Sequence, residues 1–153
     1  MISSRIELLK KMLEENLIKL QKAINLLDKS YQSIIKINIK EEYSDDELEK
    51  FESLTSRFAR ATDILTQKVL KSYFRLIQED FDSFIDLANL SEKFKIVEDA
   101  DTLLIIRDLR NRIAHEYEEE ELNSIFKEVI NFTPVIIEIS EKLDYIVKKA
   151  CVD

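Results

Sequence analysis

Residues 107 to 117, RDLRNRIAHEY, gather three arginines, an asparagine, the single histidine of the chain and a tyrosine. Those side chains suit phosphoryl chemistry. Cleaving RNA without a metal requires one group to take the proton of the 2′-hydroxyl and one to protonate the leaving 5′-oxygen. Histidine does either near neutral pH. The reaction also needs a cation that holds the phosphate and stabilises charge building on its oxygens. Arginine supplies this with a planar, permanently charged fork. In such a site His115 would move the proton and Asn111 would orient the imidazole or the phosphate. The products would be a 2′,3′-cyclic phosphate and a 5′-hydroxyl.

On a helix over residues 102 to 115, the spacing predicts Ile105, Ile106, Leu109 and Ile113 on the inward face. Arg107, Asn111 and His115 stand four apart and would share another line. Arg110 lies about 140° round from His115 on an ideal helix. The two side chains would converge only if the helix frays at its end, or if two copies of it meet across a twofold axis. The same residues also have plain structural roles. A histidine at a helix C-terminus complements the helix dipole, and Asp108 with Arg112 is a correctly oriented i,i+4 ion pair.

The elements that must position this stretch are helical. The 153-residue chain contains no glycine and a single proline, which disfavours the hairpins and bulges of sheet proteins. Its length suits one domain, residues 1–153, with a real core. Apolar residues recur in steps of three and four from Ile6 to Ile34, which predicts a long first helix fading near Asn38. Ser44 followed by Asp45, Asp46 and Glu47 is a capping box for a second helix, with Leu48, Phe51, Leu54, Phe58, Ala61, Leu65, Val69 and Leu76 on its buried side. A break near 79–82, a shorter helix to Phe94 or Lys95, a fourth capped by Asp99 or Asp101, and a fifth from the acidic run Glu118 to Glu121 to about Lys149 complete the set. The fold expected is all-α, an up-and-down bundle of four or five helices.

Composition narrows the function classes. Lys and Arg number 23 against 31 Asp and Glu, a formal net charge of −8. An acidic body repels nucleic acid at long range, so RNA contact would need a local basic patch or a second subunit. The lone Cys151 excludes an intramolecular disulfide and a four-cysteine metal site, and fits a reducing, cytoplasmic setting. No apolar run approaches a bilayer span, so no membrane partner is expected. A di-metal carboxylate bundle takes Glu-x-x-His from two helices, whereas here the only histidine has Arg112 three positions before it.

The string RNRIAHEY resembles the signature of HEPN domains: an arginine and a histidine separated by four to six residues, the first of them often asparagine. With Tyr117 it becomes R-x-x-x-x-H-x-Y, the form seen in HepT-like toxins, and the likeness extends over roughly residues 48 to 120. The resemblance implies a HEPN-like bundle that forms a homodimer with its active site at the interface, and a ribonuclease toxin that needs no metal or other cofactor. It makes Arg110 and His115 catalytic and Asn111 supportive, with Arg107 and Arg112 of two subunits adding positive charge for RNA. It also implies an MNT-type nucleotidyltransferase antitoxin as partner, with Tyr117 as acceptor of AMP. A phosphodiester-linked AMP there would put bulk and negative charge in the cleft. The alternative within the same group is a non-catalytic binding partner of a nucleotidyltransferase.

Overall fold

The computed structural model describes residues 2–115 and 119–152. Among these residues the chain is all-helical: α1 (Ile2–Ile34), α2 (Asp45–Asp63), a π-helical segment (Ile64–Leu70), α3 (Lys71–Leu76), α4 (Phe84–Lys93), α5 (Ala100–Ala114) and α6 (Glu119–Val152). The second, the π segment and the third run on without a break, so the described residues form five rods. α1 packs against α2 and α6, and α5 against α2, α4 and α6. The result is a helical bundle, as the apolar periodicity predicts.

Each element follows from its residues. On α1, Leu13, Leu20, Leu27 and Ile34 recur every seventh position and are all fully buried, the spacing of a coiled-coil seam. Buried in the same core are Phe51, Leu54 and Phe58 from α2 and Phe126, Ile136 and Leu143 from α6. Phe51 and Phe126 stack with centroids 4.3 Å apart, and the Tyr43 ring tilts onto Phe51 at 5.0 Å. The Tyr43 hydroxyl donates to Asn123 Oδ1 at 2.9 Å and accepts from the Lys40 N–H at 3.0 Å, which ties the α1–α2 connection to α6. No helix among the described residues is long and apolar enough to cross a membrane.

The capping box at Ser44 forms as the sequence predicts. Ser44 Oγ accepts from the Glu47 N–H, and the Glu47 carboxylate accepts from the Ser44 N–H. The bond from Lys40 Nζ, and then that backbone N–H, hold the Glu47 carboxyl below its usual range. Ser44→Ala is expected to cost about 1 kcal/mol, within roughly 0.5–2, read as a lower urea midpoint with an unchanged m-value. A second capping box, Ser83 with Asp86, opens α4.

Without glycine, two helices end through other residues. Gln78 and Lys95 both adopt φ of 61°. The N–H of Glu79 reaches Phe74 O at 2.9 Å and that of Gln78 reaches Arg75 O at 3.2 Å. The same pair of bonds recurs at Ile96 to Ser91 O, 2.8 Å, and Lys95 to Glu92 O, 3.0 Å. These are Schellman motifs, which satisfy helix-end carbonyls.

Three features differ from expectation. α1 ends at Ile34 rather than near Asn38, because the Ile37 N–H turns back to Ile34 O at 2.8 Å. α6 continues past Lys149 to Val152, with Pro134 inside it, where the sequence pattern also places it. The π segment has no counterpart in the sequence reading. Just before it, Thr62 is buried and its hydroxyl has no hydrogen-bond partner among the described residues.

Candidate active site

α5 carries the candidate residues, and its start is fixed twice. Asp99 Oδ1 accepts from the Asp101 N–H at 2.9 Å, as expected of the cap, and Glu92 Oε1 accepts from the Ala100 N–H at 3.0 Å. The buried stripe is Ala100, Leu103, Ile106 and Leu109. Ile105 is therefore not inward, as expected, but 46% exposed. It lies roughly 160° from Leu103 on an ideal helix, whereas Arg110 lies roughly 20° from it. The inward face is thus rotated, and its C-terminal end runs into Arg110.

Arg110 meets α2. Its Nε donates to Asp63 Oδ1 at 2.7 Å and its Nη2 to Asp63 Oδ2 at 2.8 Å. This bidentate bond to the carboxylate raises the guanidinium pKa above its ordinary value, against the opposing effect of burial. The side chains remain 28% exposed for Arg110 and 45% for Asp63. The arginine is thus fixed but reachable. Neither bond to Asp63 uses its Nη1.

The other two arginines turn to other neighbours. The Arg107 guanidinium carbon sits 4.6 Å from the centre of the Phe84 ring of α4, a cation–π contact. Arg112 pairs with Glu128 of α6. This replaces the expected Asp108–Arg112 pair, because the carboxylate across the interface draws Arg112 away from its own helix. α5 is therefore tethered to α2, α4 and α6 by one arginine each. Arg107 and Arg112, expected to face RNA, have intramolecular partners, and both keep part of their surface in solvent.

His115 stands four residues after Asn111, at the point where α5 stops. The helix ends at Ala114, and His115 is its C-cap, with extended backbone at φ −88° and ψ 152°. Its N–H still reaches Asn111 O at 3.2 Å. Both His115 and Asn111 are exposed. The extended ψ redirects the chain that follows His115, while its own N–H keeps the helical bond. Tyr117, the expected AMP acceptor, and Glu118, the expected start of the last helix, lie outside the described residues.

The sequence reading missed Asp63, Phe84 and Glu128, the partners of the three arginines. Asp63 and Arg110 stand 47 positions apart, and no local pattern signals such a pair. Cys151 is half-buried, and burial, followed by the nearby Glu14 carboxylate, pushes its thiol pKa up, which disfavours the reactive thiolate. In comparisons with known proteins, no family model, no curated protein and no solved structure matches the chain.

Proposed function

We propose that this chain is a metal-independent endoribonuclease of the HEPN, HepT-like kind, the toxin of a pair whose antitoxin is an MNT-type nucleotidyltransferase. His115 transfers the proton, Arg110 binds the scissile phosphate, and Asn111 orients one or the other. The observation that carries this reading is the end of α5. Its last turn holds a guanidinium fixed from a second helix, and the chain then leaves the helix to expose its only imidazole. A second copy would complete the cleft. Tyr117 is the AMP acceptor in this reading, on the strength of its place in the motif.

The purified protein, incubated with RNA in excess EDTA, is expected to produce fragments ending in 2′,3′-cyclic phosphate. Its expression is expected to arrest growth, and co-expression of the nucleotidyltransferase to relieve the arrest. RNA left intact, together with normal growth, would remove the catalytic reading.

One observation favours a second reading, a non-catalytic partner of a nucleotidyltransferase. Arg107, Arg110 and Arg112 each have a partner within the chain, and the formal net charge is −8. That reading expects a stable complex with the nucleotidyltransferase and no cleavage by the isolated protein.

A further inference from the structure

We infer that Asp63 is a positioning residue for the candidate site: it grips the Arg110 guanidinium by one edge and presents the other to a phosphate of the RNA backbone. This rests on the reading of the site as one that binds RNA phosphate. The geometry behind it is specific. A guanidinium has a side edge, made of Nε and Nη2, and an end edge, made of Nη1 and the outer hydrogen of Nη2. Asp63 takes the side edge with both oxygens, at 2.7 and 2.8 Å. The end edge is left with the donors that form two parallel bonds to a phosphate.

Asp63 is well placed for this task. It is the last residue of α2, where the helix passes into the π segment, and such segments recur at functional sites. The neighbouring Ala61, Thr62, Ile64 and Leu65 are all buried, so the backbone that carries the carboxylate is held by the core. A long arginine side chain loses rotamer freedom when it binds a ligand. Here the fold has already ordered it. Asp63 also cancels the charge of Arg110, so it adds nothing to long-range attraction for RNA. What it supplies is orientation at contact.

The test follows the Arg110 side-chain Nε–H signal by NMR, assigned by its loss in Arg110→Lys. The probe is a 2′-O-methyl oligoribonucleotide, which binds but cannot be cleaved. In the parent chain the signal is expected to shift saturably. Asp63→Asn, nearly isosteric and partly exposed, is expected to weaken binding by roughly tenfold, and cleavage of ordinary RNA by up to about 100-fold through kcat. Added to Arg110→Lys, it should bring no further loss, since it acts through Arg110. The inference is overturned if the signal does not move on titration. It is equally overturned if Asp63→Asn binds the oligonucleotide as well as the parent or better, because the carboxylate would then be neutral or a competitor of phosphate. Failure of the parent to cleave ordinary RNA would sink the ribonuclease reading alone, with the titration still deciding the role of Asp63.

Discussion

Alanine at His115 is expected to slow RNA cleavage by roughly 100- to 10,000-fold, the range for a lost general acid or base, while leaving the fold intact. The side chain is exposed and stands after the last residue of α5, and changes at such places usually alter stability by no more than about 0.5 kcal/mol. Arg110→Ala is expected to lower the rate by about 100- to 1,000-fold, the cost of removing a donor to developing charge. Arg110→Lys keeps the charge but loses the planar fork, so it should recover little of this. Single-turnover kinetics on a defined oligoribonucleotide, alongside thermal melts of each variant, separate chemistry from folding. Rates equal to the parent's in both alanine variants would end the proposal that these residues are catalytic.

Phe126→Ala is expected to be the most damaging substitution in the core. The side chain is fully buried, stacks 4.3 Å from Phe51 and meets Tyr43 edge-on at 6.0 Å. Truncation would remove apolar burial and leave a cavity between α2 and α6, at a cost of about 3–5 kcal/mol. In a chain of this size that lowers Tm by roughly 6–20 °C. Guanidinium denaturation and calorimetry would measure it. A loss well below 1 kcal/mol would mean that the ring is not the packing centre described above. Because Tyr43 bonds Asn123 of α6, the connection between α1 and α2 should also lose order in this variant, visible as faster amide exchange over residues 36–44.

Much of the bundle was legible because helix signals are local. The seven-residue recurrence of Leu13, Leu20 and Leu27, the box at Ser44 and the cap at Asp99 are each contained in a few turns of chain. The rotation of α5 was not legible. TLLIIRDL offers apolar residues around most of the helix circumference, and the packing partners decided in favour of Leu103, Ile106 and Leu109 over Ile105. At the site, the residue types could be read but not their partners. Asp63, Phe84 and Glu128 reach the arginines across tertiary contacts, and sequence spacing carries no record of those. The end of the helix at His115 was foreseen only as one of two possibilities, a fray or a second copy.

The two helix stops at Gln78 and Lys95 bear on how the chain behaves before it folds. Each holds a left-handed conformation that would cost a glycine nothing, at a penalty of about 1–2 kcal/mol. A chain without glycine, however, explores fewer backbone states when denatured, so less freedom is surrendered on collapse. The strain at these two corners is thus set against a narrower denatured ensemble. The short connections they begin, leading toward α4 and α5, enter folding already biased in direction, which helps to set the helix that bears Arg110 and His115 against the rest of the bundle.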